Sequence, residues 1–449
     1  MASGKKARGK KTIPHKEPMG VSDLLALFRE KKPLRRFLKV LGPGLITGAS
    51  DDDPSGIGTY TSAGASLGFA TLWTAIITLP LMAVVQFTCA KIGMVSGMGL
   101  AGVLRKHYPR WLLYFAILGL VVANTINAGT DIGAIASAIN MLAPPVPAVW
   151  LVVPIAAGIV ALQIWCSYKL IANVFKWLTL SLFAYVAAAF LAHPHWGEVF
   201  RATLVPHFSA DGKYVTALVA IAGTTISPYL FSWQSSEEVE EEVGMGRKTQ
   251  KEREGATQDE LNAARADTLT GMIFCNLVFY FVILAAATTL HATGKTDVQS
   301  ATDAAKALEP LAGPAAKYLF AAGLIGAGFL AVPVLTGASA YAVAETFGWN
   351  YGLDTKPHEA KQFYAIIATS TLIGMLINFL GINPIKALFW TAVINGVVAP
   401  PLLVVILLVA NNKKVMGKRT NGRGANAVGW LTAALMFAAA VGMFLTWNS

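Results

Sequence analysis

Charge is scarce in this chain. Of 449 residues only 14% are Asp, Glu, Lys or Arg, against about 25% in a typical soluble domain. With 55% hydrophobic residues and a mean hydropathy of +0.54, that shortfall excludes an ordinary soluble enzyme and a disordered chain. Cysteine is scarcer still. Cys89, Cys166 and Cys275 each fall within an apolar run, with no close pair. A disulfide scaffold and a cysteine metal cluster are therefore excluded, and the three read as small buried hydrophobes. An early apolar segment is missing too. The first 38 residues are basic and polar, from Lys5 to Arg36, which reads as a cytosolic tail rather than a signal peptide.

What is there is apolar length. Eleven apolar spans run near 39–66, 69–95, 111–141, 148–166, 170–192, 215–236, 266–291, 315–345, 362–381, 384–411 and 427–447. At about 20 residues per crossing, the chain reads as an all-α multi-pass membrane protein. The formal charge of +11 then reports orientation. With the N-terminus in the cytosol, the cytosolic segments hold 28 Lys and Arg and the opposite side 6. That bias sets the N-terminus inside and the C-terminus outside, with the basic side facing anionic lipid. A nucleic-acid partner is not implied. A bacterial plasma (inner) membrane is the expected location, and no obligate protein partner is inferred.

Two spans contain what a lipid-facing helix does not tolerate. Span one carries Asp51, Asp52, Asp53, Pro54, Ser55 and Gly56. Three carboxylates at membrane depth are expensive, so at least one should face a cavity or ligand. Pro54 removes a backbone donor, and freed carbonyls need a partner such as a cation. Span six carries Gly223, Thr224, Thr225, Ile226, Ser227, Pro228 and Tyr229, a second proline after small polar residues near mid-span. The two breaks are five spans apart. A repeat of five spans reinserts upside down, and paired interrupted helices in the two halves mark the binding site of an inverted-repeat transporter.

At these residues the chain resembles the Nramp family of divalent-metal transporters. That family opens span one with Gly-Pro-Gly, eight residues and Asp-Pro-Gly-Asn; here Gly42, Pro43 and Gly44 precede Asp53, Pro54, Ser55 and Gly56 by the same interval. Its Gly-Ala-Thr-Val-Met-Pro-His run in span six is matched by Gly223 to Tyr229. The resemblance implies a LeuT-type fold: two inverted repeats of five helices, residues 39–192 and 215–411, with a charged cytosolic loop at 237–265. An eleventh helix with the C-terminus follows at 427–449. It implies alternating access, with spans one and six moving against the others. It also implies a transported ion as substrate and no cofactor.

The departures from the family point to the ion. Asp53 matches the metal-binding aspartate, and Thr224 falls where a backbone carbonyl serves. The family's asparagine ligand is Gly56 here and its methionine ligand is Ser227. Loss of the thioether removes the soft donor that favours transition metals. Both exchanges shrink side chains and leave room for water, which suits Mg2+, an ion that dehydrates reluctantly. The pattern is most similar to the Nramp-related magnesium transporters, with Mn2+ also carried. Gln234 and Asn395 are further candidate ligands, or else bond to neighbouring helices. Asp51 and Asp52 line the entrance, or one of them caps the second half-helix with Ser50.

Asn127 and Thr130 fall at the family's acidic positions in span three, and Gln234 at its second histidine. None of the three exchanges a proton near neutral pH. Transport without proton coupling is the expectation; Asp131, one residue off, leaves open the alternative of a proton-coupled Mn2+/Fe2+ transporter. Glu237 to Glu242 read as a solvated acidic end, with a cation-gathering vestibule as the other reading. His193 and His195 read as loop residues. Two other classes fit the residues less well. A carboxylate at the break repels the anionic substrate of an organic-acid carrier. An intramembrane enzyme acting on a magnesium diphosphate needs a second acidic motif facing one cavity, which the paired breaks do not supply.

Overall fold

The computed structural model describes residues 43–166, 180–353 and 355–446. The basic tail and the first part of span five lie outside them. Among the described residues there is helix and loop but no strand.

The first span is two short helices, α1 (Pro43–Asp51) and α2 (Pro54–Leu67). Then come α3 (Thr74–Ser96), a short amphipathic α4 (Leu100–His107), α5 (Arg110–Leu142) and α6 (Ala148–Trp165). Next, α7 (Ala184–Leu191) is the described part of the fifth span, and α8 (Trp196–Leu204) lies in the loop after it. The sixth span is again a pair, α9 (Gly212–Thr225) and α10 (Pro228–Gly244). The remainder are α11 (Gln258–Thr289), α12 (Ala316–Phe347), α13 (Lys361–Leu376), α14 (Pro384–Asn411) and α15 (Arg423–Leu445). Among the described residues, nine helical segments are long and apolar enough to cross a membrane, counting α9 and α10 as one. The α1–α2 pair and α7 account for the other two predicted spans.

Both prolines at the breaks occupy the first turn of the second half-helix, where a missing N–H costs nothing because it has no intrahelical partner. The breaks are then held by close packing. An ideal Cβ on Gly48 of α1 would lie 2.3 Å from the Gly271 carbonyl oxygen of α11. One on Gly223 of α9 would lie 2.1 Å from the Ala392 carbonyl of α14. At both places only glycine lets the backbones meet, the small-residue contact that substitutes for hydrophobic drive in lipid. Around this centre α12 runs along α5, and α11 covers both halves of the first span.

One sequence expectation is corrected. The acidic stretch after span six is solvated on one face only, with Glu241 exposed. Helix α10 continues through Gly244, and Glu238 and Glu242 are only 5% and 4% exposed. At four-residue spacing they extend the face of Gln234, which is itself fully buried. Gln234 donates to Glu238 at 2.9 Å, and Arg247 reaches Glu242 at 3.3 Å and also pairs with Glu260. The connector is short beyond that point. One turn, Gln250–Arg253, and the start of α11 are each fixed by a Thr–Glu capping box, which satisfies two orphan donors at once.

Candidate metal site at the two helix breaks

Asp53 sits between α1 and α2 in extended backbone and caps α2. Its Oδ1 accepts from the Gly56 N–H at 2.6 Å and the Ser55 hydroxyl at 2.8 Å. Its Oδ2 accepts from Asn127 Nδ2 of α5 at 2.9 Å. The cap is thus Asp53, not Asp51 or Asp52 as one sequence reading had it. Proline at the first helical position makes the preceding residue the N-cap, and a carboxylate there meets the positive end of the helix dipole. These three bonds hold Asp53 in one orientation with 1% exposure.

Gly56 and Thr224 stand beside it. The point where a Gly56 side chain would begin is 3.4 Å from Asp53 Oδ1 and 3.0 Å from Thr224 Oγ1. The Thr224 hydroxyl, buried and without a hydrogen-bond partner, therefore shares a small space with the carboxylate. The sequence pointed only to the Thr224 carbonyl. That carbonyl accepts from Ser227 Oγ at 2.7 Å, and the Gly223 carbonyl lies 3.0 Å from the same hydroxyl. With its proton committed to carbonyls, Ser227 presents lone pairs only. Unlike Asp53, it makes no side-chain cap on the following helix.

The two breaks are joined directly. Tyr229, on the first turn of α10, donates its hydroxyl to the Ser50 carbonyl at 2.9 Å, satisfying a carbonyl that the break in span one set free. The carboxyl ends of α1 and α9, which carry partial negative charge, thus meet at Asp53. Oxygen donors, one carboxylate and two helix carboxyl ends suit a hard cation.

The structure brings Asp53, Gly56 and Thr224 together, and ties Ser227 to the Thr224 carbonyl. It places Gln234 two turns further along α10, turned toward Glu238. Asn395 on α14 is 1% exposed with Nδ2 unpartnered; it follows Ala392 and precedes Gly396, the residues packed on Gly223. Asn127 is the residue whose role the sequence did not disclose. Thr130 donates to its carbonyl at 2.9 Å and contacts Thr391 at 3.3 Å. Asp131 is fully buried, and neither of its oxygens has a hydrogen-bond partner. A cleft of about 360 Å3 lined by Arg105, Arg253 and Glu345 lies elsewhere. There Glu345 serves structure, accepting from the Gly99 and Gly102 N–H groups at 3.1 and 2.9 Å where α4 starts.

Two helices interrupted at mid-span, cross-linked at the breaks and wrapped by uninterrupted helices, define a multi-pass membrane protein of the LeuT-type fold. The description "Natural resistance-associated macrophage protein-like" matches residues 44–446, and the chain belongs to that family, Nramp. The divalent metal cation transporter MntH of Deinococcus radiodurans is 28% identical over 422 residues, covering 92% of this chain and 91% of its own. MntH of Klebsiella pneumoniae is 25% identical, covering 89% and 92%. Among solved structures, the manganese transporter of Eremococcus coleocola superposes with a TM-score of 0.73 at 17% identity, over 92% of this chain and 87% of that one. Mhp1, a nucleobase-cation-symport-1 family transporter, superposes at 0.56 and 16% identity, over 90% and 91%. These last two likenesses are of fold.

Proposed function

We propose that this protein carries divalent metal cations across the membrane by alternating access, with Asp53 as the anchoring ligand. Mg2+ is favoured and Mn2+ is also carried. The protein is a transporter and not an enzyme, and the metal is its substrate. The observation that carries the reading is Asp53 itself, a carboxylate fixed by three hydrogen bonds at the meeting point of two broken helices. The choice of Mg2+ is supported by the hydroxyls of Thr224 and Ser227 and by the lack of any soft donor at Gly56, which offers no side chain beside Asp53. An all-oxygen donor set fits a hard ion that keeps part of its hydration shell. The Lys and Arg bias supports a cytosolic N-terminus in a bacterial inner membrane.

The membrane potential suffices as a driving force. Two charges moving down 100 mV gain about 4.6 kcal/mol. Asn127 in place of an acid next to Asp53 supports transport without proton coupling. One observation favours the second reading, proton-coupled Mn2+/Fe2+ transport: Asp131 is fully buried with both oxygens unpartnered, as a proton-carrying group could be.

Uptake into proteoliposomes tests both. Mg2+ and Mn2+ should enter, should compete with each other, and should fail to enter in Asp53→Ala. Normal uptake by that variant would sink the site assignment. Lumenal acidification evoked by Mg2+, abolished in Asp131→Asn, would replace uniport with the second reading.

A further inference from the structure

Three separate parts of the chain wall the cleft of about 360 Å3: α4, the turn Gln250–Arg253, and the end of α12 with the residues after it. Nearby α3 ends at Ser96, α5 begins at Arg110 and α12 ends at Phe347, so the cleft sits where spans leave the apolar layer. Arg105, Lys106 and Arg253 line it, and Glu345 is the one carboxylate in its wall. That carboxylate is already committed, to the Gly99 and Gly102 N–H groups at 3.1 and 2.9 Å and to the Tyr351 hydroxyl. Among the described residues neither arginine is paired with a carboxylate. Lys106 has only Glu254 at 3.9 Å, and both side chains are about half exposed, a pair that water screens.

Both guanidiniums are held in place by backbone. Arg105 donates Nη1 to the Glu345 carbonyl at 3.3 Å. It lies against Gly348, whose φ is +72° and where an ideal Cβ would come within 2.1 Å of that nitrogen. Arg253 donates Nε to the Gly97 carbonyl at 3.2 Å, and Nη1 to the Arg247 and Lys248 carbonyls at 3.2 and 2.8 Å. Nη2 of each makes no hydrogen bond among the described residues. Carbonyls orient a guanidinium without cancelling its charge, so two pre-set donors remain for a ligand. A cleft lined by cations focuses their field and draws an anion. The arginine fork matches phosphate oxygens, and Lys106 adds a point charge. Phe347, 53% exposed, stacks on Trp349 at 4.9 Å beside Gly348, an aromatic pair suited to the level of lipid headgroups.

We propose that this cleft binds a phosphate group, carried by an anionic phospholipid headgroup or by a soluble phosphate, with Arg105, Arg253 and Lys106 as its ligands. The aromatic pair favours the lipid, as does the place of the cleft at the ends of the spans, where basic pockets between helices take acidic headgroups. Bound there, the phosphate links α4 and the end of α12 to the connector between α10 and α11. It thereby ties the connector that follows the second broken helix to helices outside the breaks. Binding needs nothing from Asp53 and stands apart from the transport reading.

The test uses the full-length protein in detergent with two probes, phosphatidylglycerol and inorganic pyrophosphate. Native mass spectrometry should show phosphatidylglycerol retained in preference to zwitterionic phosphatidylcholine, and the bound lipid should raise the melting temperature. Arg105→Gln/Arg253→Gln should weaken this binding about 30-fold, at about fivefold for each basic residue. Lys356→Gln/Lys361→Gln removes the same charge from exposed positions outside the cleft and should bind as the wild type does. Asp53→Ala should also bind normally. Pyrophosphate distinguishes the source: if it raises the melting temperature of the wild type and not of Arg105→Gln/Arg253→Gln, while phosphatidylglycerol does neither, the phosphate comes from solution. Because the arginines also hold carbonyls, Lys106→Gln is the second variant; it gives up no bond to backbone and should weaken binding about fivefold. Failure of both probes to bind overturns the proposal. So does unchanged binding in Lys106→Gln and in Arg105→Gln/Arg253→Gln, or an equal loss in Lys356→Gln/Lys361→Gln.

Discussion

Asn127 Nδ2 donates to Asp53 Oδ2 at 2.9 Å, across the gap between an unbroken helix and a broken one. Thr130 bonds the main-chain carbonyl of Asn127, while the amide oxygen Oδ1 is buried without a partner, so the bond to Asp53 is what fixes the amide. An outer-shell amide orients a carboxylate without competing for its charge. Asn127→Ala should therefore fold and still bind Mg2+ or Mn2+, but about 10–100-fold more weakly, the range for lost outer-shell partners. Calorimetric titration checks this. Unchanged affinity would mean that the Gly56 and Ser55 bonds orient Asp53 unaided.

Selectivity should respond to the two small residues. Ser227→Met with Gly56→Asn adds a soft donor and fills the space 3.0 Å from Thr224 Oγ1 and 3.4 Å from Asp53 Oδ1. The Mn2+/Mg2+ uptake ratio should rise about tenfold or more, a shift of about 1.4 kcal/mol. Competition uptake in proteoliposomes measures it. No change would place selectivity outside these side chains.

Tyr229→Phe removes the hydroxyl that donates to the Ser50 carbonyl. Losing one such hydrogen bond costs about 0.5–1.5 kcal/mol. The variant should melt earlier and, because this bond joins the two breaks, should change the uptake rate more than the ion affinity. A wild-type melting temperature would argue against the bond.

Backbone contact at the sixth span predicts a sharp steric limit. Gly223→Ala brings a methyl to 2.1 Å from the Ala392 carbonyl oxygen and 2.3 Å from Gly396 N. Overpacking of this kind costs about 1–3 kcal/mol, sometimes more. Gly158→Ala on α6 meets nothing within 4 Å and should be neutral or stabilising by up to about 1 kcal/mol. Thermal unfolding in detergent separates the two, and equal melting of both variants would contradict the packing at Gly223.

The breaks were legible because their causes are local. Pro54 and Pro228 cannot continue a helix from the residues before them, and three successive carboxylates cannot sit in a plain lipid-facing span. Asp53, Gly56, Thr224 and Ser227 could be picked for the same reason: each lies within four residues of a break-forming proline. The buried acidic face of α10 was not legible. Glu238 and Glu242 look solvated in sequence, and only the neighbours of that helix decide that they are enclosed. Cys275 is likewise an ordinary apolar-run cysteine until α11 is laid against α1.

By itself the sequence determined the multi-span membrane class, the two interruptions and the carboxylate between them. Hydrophobic length, proline chemistry and the cost of charge in lipid act along the chain and need no partner. Only the tertiary structure decided which group holds Asp53, that Tyr229 ties the breaks together, and that Asp51 faces a thiol. Those choices pair residues 74, 179 and 224 positions apart. No local rule selects among the polar side chains that could reach a freed carbonyl or a buried carboxylate. The choice falls to those that close packing, as at Gly48 and Gly223, brings within hydrogen-bond distance.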